Sequence, residues 1–374
     1  DQDRAVAGRA LLDTVAVILA GRRALPEPLL ERLSLTGRWA ALAHVLDFDD
    51  LHLDSTAHIS AVCVPAALAE DGGAHAYLAG AGVMARLGAA LGWGHYASGW
   101  HATCTAGAPG AAVAAAVARG LDARGVSTAL ALAVPAAGGV QRAFGTSGKS
   151  LQVAFAAEAG VRAAALAGAG ADADPSALDV WLELVGGRSA QLPRAPEVIP
   201  GGLAVKVYPC CYALQRPIAA VRKLEGLKAT QVRRISVTTP SSALTPLIHH
   251  RPTTGLEGKF SLPYGLACAL LDDPVSLDSF SDTAVARPEA RRLMNLVEVE
   301  PTDEGRGLLA GSCTVSVTLE DGSTRSASVR DPPAGEAELD QKIDMCAGAL
   351  ADEVRALRWE TAREFLRANG TPPL

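Results

Sequence analysis

The stretch DFDDLHLDSTAH, residues 47–58, concentrates side chains that can exchange protons or bind a cation. A metal site could draw on oxygen and imidazole donors that suit manganese, iron or zinc, namely Asp47, Asp49, Asp50, His52, Asp54 and His58. Their spacing matches neither the EF-hand nor the HExxH template, so we expect no metal. A polar helix-capping loop is an alternative, because Asp and Ser concentrate at helix starts. Acid/base catalysis is the third interpretation, and it requires partners from elsewhere in the chain.

Three later segments provide such partners. In GWHATCT, His101 stands just before a long alanine-rich run, and an imidazole titrates near neutral pH. In GTSGKSLQ, Lys149 lies in a Gly/Ser-rich turn before another helical run, where backbone N–H groups favour an anion. In KVYPCCY, Lys206 precedes a proline turn. Each lysine alone is typical of a surface, but their shared position beside turns at helix ends indicates one anionic pocket.

The elements that must position these residues change character along the chain. Up to about residue 220, alanine and leucine recur at helical spacing with Gly and Pro between the runs. The pattern then alternates with period two in QVRRISVTT and in SCTVSVTLEDGSTRSASVR, where EDGS predicts a hairpin. Between these strands, LPYGLACALLDD and ARPEARRLMNLV are helical candidates, and the end of the chain returns to helical spacing.

These patterns predict a mainly α fold, in which a large all-helical domain carries a smaller α+β lid domain inserted before the C-terminal helices. We place the helical domain at residues 1–228 and the lid domain at 229–335. Residues 336–374 form C-terminal helices that return to the helical domain.

Composition and charge exclude several classes of partner. The chain has 374 residues, 49% of them hydrophobic and 20% charged, which is enough to bury a large core. A net charge of -6 without a basic run argues against nucleic acid or an anionic membrane. Seven scattered cysteines without a CxxC pair are typical of reduced thiols and predict a cytoplasmic protein. The apolar run LLDTVAVILAG is too short to span a bilayer and predicts a buried helix.

The same segments carry a family resemblance. DFDDLHLDSTAHIS, GWHATCT, GTSGKSLQVAFAAEAG and KVYPCCYALQRPI resemble the MmgE/PrpD family, as do LLDTVAVILAGRR and KFSLPYGLACALL. This family includes 2-methylcitrate dehydratases, cis-aconitate decarboxylases and iminodisuccinate epimerases. The resemblance is ordered and extends over nearly the whole chain. It implies a large helical domain, a smaller α+β lid, a site in the cleft between them, a homodimer formed through the helical domain, and chemistry without a metal or organic cofactor.

The resemblance also implies roles for individual residues. It places the acid/base pair at His58 and His101, on either side of the reacting carbon, with Asp47 orienting a histidine. Lys149 and Lys206 would bind substrate carboxylates as point charges. The tyrosine after FSLP matches a further substrate-binding residue, Tyr264.

Three positions depart from the family pattern. The family motif usually reads Asp-Asp-Thr, and this chain has Leu51 after its two aspartates. Gln152 replaces a histidine after the Lys149 block, and Gln215 replaces a histidine after the YPxC turn. Loss of these polar groups would reshape the substrate pocket or remove one proton-transfer role.

Together these features predict a cofactor-independent lyase, a dehydratase or decarboxylase, that acts on a small citrate-like carboxylic acid. One alternative is a divergent isomerase, epimerase or cyclase of a specialised biosynthetic pathway, with a less charged biosynthetic intermediate as substrate. Another is a non-catalytic binding protein. Pocket polarity discriminates among them, since a tricarboxylate cannot be neutralised in an apolar pocket.

Other motifs have plainer interpretations. GAGVMA at 80–85 matches a loose dinucleotide fingerprint, but it lies inside a helical pattern with no strand before it. Cys210 and Cys211 are expected to be buried turn residues rather than nucleophiles. Solvated loop positions are expected for His249 and His250, and packing or surface positions for three further histidines, His44, His75 and His95.

Overall fold

The computed structural model describes residues 2–332 and 336–370. The chain divides into two compact units. The helical unit comprises Asp1–Arg142, Ser147–Val205 and Glu336–Leu374. The α+β unit comprises Ala143–Thr146 and Lys206–Gly335.

Helices account for most of the first 205 residues. They are α1 Gln2–Gly21, α2 Glu27–Leu30, α3 Leu35–Val45, α4 Ser60–Ala69, α5 Ala74–Ala97, α6 Ala102–Ala118, α7 Ala123–Ala133, α8 Ser147–Gly168 and α9 Ala177–Leu184. The predicted buried helix at LLDTVAVILAG is confirmed as part of α1. GAGVMA lies inside α5, so the interpretation of that segment as helix rather than a dinucleotide loop is confirmed.

The α+β unit combines short helices with one sheet. Its helices are α10 Gln215–Arg222, α11 Gly255–Gly258, α12 Leu262–Leu271, α13 Asp282–Ala286 and α14 Pro288–Met294. Its strands, in the part of the chain that the structure describes, are β1 Val232–Pro240, β2 Val297–Thr302, β3 Cys313–Leu319 and β4 Thr324–Val329. The C-terminal segment then adds α15 Glu336–Ala347, α16 Ala351–Arg355 and α17 Trp359–Asn369 to the helical unit.

The sheet has the order β2-β1-β3-β4. β1 pairs parallel to β2, with Ile235 opposite Val297, and antiparallel to β3, with Val237 opposite Val315. Alternate residues of β3 are buried, as the period-two pattern predicts. The hairpin expected at EDGS is confirmed, because β3 and β4 pair antiparallel and Gly322 takes the positive φ of 84° that the turn requires. The mainly helical character with a small sheet is therefore confirmed.

Small residues let the central helices of the helical unit approach closely. α6 is buried from Ala102 to Ala116 and packs against α4, α5, α7 and α8. A Cβ on Gly160 of α8 would lie 2.5 Å from the Ala108 carbonyl oxygen. A Cβ on Gly80 of α5 would lie 2.6 Å from the Gly110 carbonyl oxygen. The helix backbones are thus in direct contact, which only glycine at these two positions permits.

Among the described residues, no helix has both the length and the apolar character needed to cross a membrane.

Candidate active site

The acidic stretch forms a buried loop between α3 and α4. The exposed fractions of Asp47, Asp49 and Asp50 are 1%, 0% and 1%. A capping role holds for Asp50, whose carboxylate accepts from the backbone N–H of Ser60 at 3.3 Å and also from the Ser60 hydroxyl. The other two carboxylates face imidazoles and a lysine instead. Because all three are buried, a simple polar capping loop does not describe this segment.

Asp49 connects two histidines. Its Oδ2 lies 2.7 Å from His44 Nδ1 and 3.1 Å from His58 Nδ1. Burial alone would raise the pKa of Asp49, but His44 and His58 hold it well below its usual value. Asp49 is therefore an ionised acceptor, and His44 donates to it through Nδ1–H.

Lys149 brings a positive charge to the same cluster. Its Nζ lies 2.7 Å from Asp47 Oδ1 and donates to His44 Nε2. Burial is the largest effect on the pKa of His44 and lowers it. The negative charge of Asp49 raises this pKa, and the positive charge of Lys149 lowers it by a smaller amount. Neutral His44 thus joins an anion to a cation, donating through one ring nitrogen and accepting through the other. His58 Nε2 lies 3.7 Å from Asp47 Oδ1, so the two carboxylates flank His58.

His101 occupies the position immediately before α6. Its backbone N–H donates to the Gly139 carbonyl at 3.0 Å, and its ring stacks on His44 with centroids 5.3 Å apart. Burial, with the charge of Lys149 next in size, lowers the pKa of His101 well below its usual value. His101 is therefore a neutral imidazole at physiological pH.

The structure brings together four of the residues that the sequence suggests for chemistry, Asp47, His58, His101 and Lys149. They come from three separate segments of the helical unit, namely the loop before α4, the position before α6 and the first turn of α8. Their roles in catalysis or binding stay predictions.

Lys206 and Tyr264 belong to the α+β unit. Lys206 is fully buried. Burial raises the pKa of Cys210, and the positive charges of Lys259 and Lys206 act in the opposite direction. Lys259 donates to the Pro209 carbonyl at 2.5 Å, so two buried lysines lie at the YPCC turn. The hydroxyl of buried Tyr264 donates to the Ser279 carbonyl. Substrate binding by Lys206 and Tyr264 stays a prediction.

His44 is the site residue that sequence reasoning missed. We expected a packing or surface histidine, but its ring is fully buried and contacts Asp49, Lys149 and the rings of two other histidines. The available signal was its position, because His44 lies in the last turn of α3, three residues before Asp47.

The expectations for other histidines and cysteines are confirmed for some residues and wrong for one. His95 packs on Trp100 with ring centroids 5.3 Å apart. Cys210 and Cys211 are buried as expected. The expectation of a solvated loop position is wrong for His249. Its side chain is half-buried, and its Nε2 lies 2.8 Å from the Phe144 carbonyl oxygen, so a hydrogen bond holds the ring in place.

Four side chains of the helical unit have donor atoms that could enclose a metal ion. The atoms belong to His44, Asp47, Asp49 and His58, and all lie within 4.8 Å of one another. The Lys149 ammonium already bonds two of these four groups, so it holds the position of a cation in the cluster. Of the six residues in the sequence-based metal set, His52 is engaged elsewhere, between Ser55 and the Pro200 carbonyl.

The three departures from the family pattern have separate structural roles. Leu51 is buried, and its backbone pairs with Ala204. Gln215 accepts from the N–H groups of Val207 and Tyr208 at 3.1 and 3.0 Å, so it braces the YPCC turn. Gln152 contacts His101 directly, with 2.7 Å between Nε2 and Nδ1.

The pH dependence of folding tests the environment of Asp50. Burial raises the pKa of Asp50 from 3.8 to about 7, and repulsion from Asp13 adds to the rise. The folded protein therefore keeps a proton that the unfolded chain releases, so this stabilisation is complete below pH 3.8 and is lost as the pH rises through about 7. Relative to Asp50→Asn, which stays neutral, wild type should lose a few kcal/mol of unfolding free energy over that range.

Urea denaturation at a series of pH values measures this difference. Asp54→Asn is the matched control, because Asp54 is exposed in the same loop. Parallel pH profiles for wild type and Asp50→Asn would contradict the prediction.

Comparisons with known proteins agree with the motifs. The MmgE/PrpD N-terminal domain model matches residues 38–180, and the MmgE/PrpD C-terminal domain model matches residues 208–367. A cis-aconitate decarboxylase from Aspergillus terreus is 28% identical over 368 residues, covering 84% of this chain and 74% of the relative. A cis-aconitate decarboxylase from Homo sapiens is 26% identical over 296 residues, covering 72% of this chain and 59% of the relative. The buried His, Asp and Lys cluster lies within the N-terminal match, and because both family domains match in order, the chain belongs to the MmgE/PrpD family.

Proposed function

We propose that the protein is a lyase that removes carbon dioxide from a small unsaturated polycarboxylic acid. The observation that carries this proposal is the buried cluster of His44, His58, His101, Asp47 and Lys149, which combines proton-transfer groups with a fixed positive charge. Membership of the MmgE/PrpD family and similarity to cis-aconitate decarboxylases support a lyase reaction.

The proposed reaction breaks the carbon–carbon bond to one carboxylate. Carbon dioxide leaves, and the electron pair moves through the neighbouring double bond toward a second carboxylate. One proton then adds to carbon, so substrate plus a proton gives product plus carbon dioxide. The developing charge needs positive and hydrogen-bonding neighbours in a site with little water.

His58 is the proton carrier of this proposal. Asp49 lies 3.1 Å from its Nδ1 and Asp47 lies 3.7 Å from its Nε2, so two carboxylates stabilise an imidazolium at this position. His58 gives its Nε2 proton to the substrate carbon and takes another from solvent. Lys149 supplies positive charge within the helical unit, and Lys206 is the proposed second cation for the substrate carboxylates.

Mass spectrometry in heavy water tests the proposal. A panel of small polycarboxylates, including cis-aconitate, is incubated with metal-stripped protein, and carbon dioxide loss and deuterium uptake are measured. We expect wild type to release carbon dioxide and to place one deuterium on the product carbon. His58→Gln should reduce turnover at least about 100-fold, the usual range for a lost acid/base group.

The control is His75→Gln, because His75 is exposed and remote in sequence from the cluster. Deuterium uptake without carbon dioxide loss would replace decarboxylation by isomerisation or epimerisation, and loss of water would indicate a dehydratase. A wild-type protein that changes no acid of the panel would reject the lyase proposal in favour of a less charged substrate or a binding role.

Four expectations stay proposals, of which the cytoplasmic location rests on the scattered cysteines and the other three on the family resemblance. They are a homodimer, a lid role for the α+β unit, a cytoplasmic location and activity without a cofactor. Turnover by the metal-stripped protein tests the last of these directly.

A further inference from the structure

The carboxamide of Gln152 joins Val140 to His101. Its Oε1 accepts from the Val140 N–H at 3.0 Å, and its Nε2 donates to the Val140 carbonyl at 3.2 Å. A backbone N–H only donates and a carbonyl oxygen only accepts, so the two bonds determine which end of the amide is nitrogen. The amide cannot be reversed without losing both.

The amide orientation determines where His101 carries its proton. Gln152 Nε2 lies 2.7 Å from His101 Nδ1. Because an amide nitrogen is only a donor, Nδ1 must accept, which requires a lone pair and no proton. Since His101 is neutral, its single ring proton is on Nε2.

Cys104 is a second neighbour of the same ring nitrogen. Its Sγ lies 3.3 Å from His101 Nδ1, on the first turn of α6. Burial raises the pKa of the Cys104 thiol, so the sulfur keeps its proton and can donate to Nδ1. The Gln152 amide therefore determines the tautomer, and the Cys104 thiol is compatible with it.

We propose that Gln152 is a positioning residue that holds His101 as the Nε2–H tautomer, so that His101 donates a hydrogen bond to charge developing on the substrate. This inference rests on the proposed function, and it assigns different work to the two histidines of the predicted acid/base pair. His58 faces Asp49 with Nδ1, so its neutral form has a bare Nε2 that can accept a proton. His101 presents a proton at Nε2 and does not act as the base. A neutral imidazole used in this way polarises a carbonyl or carboxylate without carrying charge itself.

Nitrogen NMR of histidine-labelled protein tests the tautomer without requiring turnover. The His101 signals are assigned by their loss in His101→Asn. We expect wild type to show a protonated Nε2 and a bare Nδ1. In Gln152→Glu the new carboxylate can only accept, so the proton should move to Nδ1, and turnover should fall on the order of 100-fold, as when one transition-state donor is lost.

Two further variants make the test specific. Gln152→Met removes the donor without adding charge, so it should give mixed tautomers and a smaller loss of turnover. Gln191→Glu adds the same charge at an exposed glutamine and should change neither the tautomer nor the rate.

A bare Nε2 in wild type, or an inverted tautomer with unchanged turnover in Gln152→Glu, would overturn the inference. A protonated Nε2 in a wild-type protein that converts no acid would reject the proposed function and leave the tautomer assignment standing.

Discussion

Replacing Lys149 by methionine is expected to lower turnover at least about 1,000-fold and to reduce the unfolding free energy by about 3 kcal/mol. The ammonium is buried, lies 2.7 Å from Asp47 Oδ1 and donates to His44 Nε2. Methionine keeps an unbranched apolar chain but leaves the buried carboxylate of Asp47 without its ion-pair partner. Turnover is measured as carbon dioxide release and stability by urea denaturation.

The same substitution should create a metal site. Without the ammonium, the donor atoms of His44, Asp47, Asp49 and His58 remain within 4.8 Å of one another. We expect Lys149→Met to bind one Zn²⁺ or Mn²⁺ in calorimetry and to be stabilised by it, because bound metal favours the folded state.

Wild type and Lys228→Met, which alters an exposed lysine, are the controls for the Lys149 experiments. Neither is expected to bind metal at this cluster. If the wild-type protein binds the metal ion at this cluster and its turnover increases with the ion bound, the cluster is a native metal centre. The Lys149 ammonium would then not take the place of a metal ion.

Lys342→Met is expected to cost about 3 to 5 kcal/mol of unfolding free energy, the usual cost of breaking a buried ion pair. Lys342 Nζ lies 2.5 Å from Asp13 Oδ1, and each side chain is 1% exposed. The ammonium also donates to the Phe48 carbonyl and lies 4.4 Å from the centre of the Phe48 ring. Phe48 stands between Asp47 and Asp49, so turnover should fall as well.

Two measurements separate charge from packing in the Lys342 experiment. Burial raises the pKa of Asp13 against the opposing charge of Lys342, so a carboxyl that has lost its partner can take up a proton. The destabilisation by Lys342→Met should therefore shrink as the pH falls. Adding Asp13→Leu should restore part of the stability, since removing both charges of a buried pair is often neutral.

Lys223→Met, at an exposed lysine, is the control. A loss below about 1 kcal/mol for Lys342→Met would show that the pair behaves as a solvated one.

Local periodicity predicted most of the elements because it reports which residues of a segment are buried. Buried and partly exposed residues alternate along β3, as apolar and polar residues do in its sequence. Helix α12 begins at Leu262, where the side chain of the preceding Ser261 caps the helix by accepting from the Tyr264 N–H. The parallel pairing of β1 with β2 could not be predicted in this way. It depends on contacts between Ile235 and Val297, which are 62 residues apart, and no local pattern encodes such pairing.

Site residues could be predicted from the sequence only where they lie in a recognisable motif. The loop of Asp47 and His58 and the turn of Lys149 have unusual composition, so they were identified before their geometry was known. His44 looked like a lone helix histidine, and Lys342 like one lysine in an ordinary C-terminal helix. Their importance comes from partners brought close by packing, at 2.7 Å for His44 with Asp49 and 2.5 Å for Lys342 with Asp13. Burial, which decides the protonation of these groups, is a property of the folded chain.

The glycine contact between α6 and α8 couples the geometry of the candidate site to the packing of two helices. His101 precedes the first turn of α6 and Lys149 lies in the first turn of α8, so the separation of these helices sets the separation of the two side chains. Gly160, about 16 Å further along α8 at 1.5 Å per residue, allows the helices to meet at the Ala108 carbonyl. A methyl group at Gly160 would therefore force the two helices apart and change the distance between His101 and Lys149, although neither residue itself is altered.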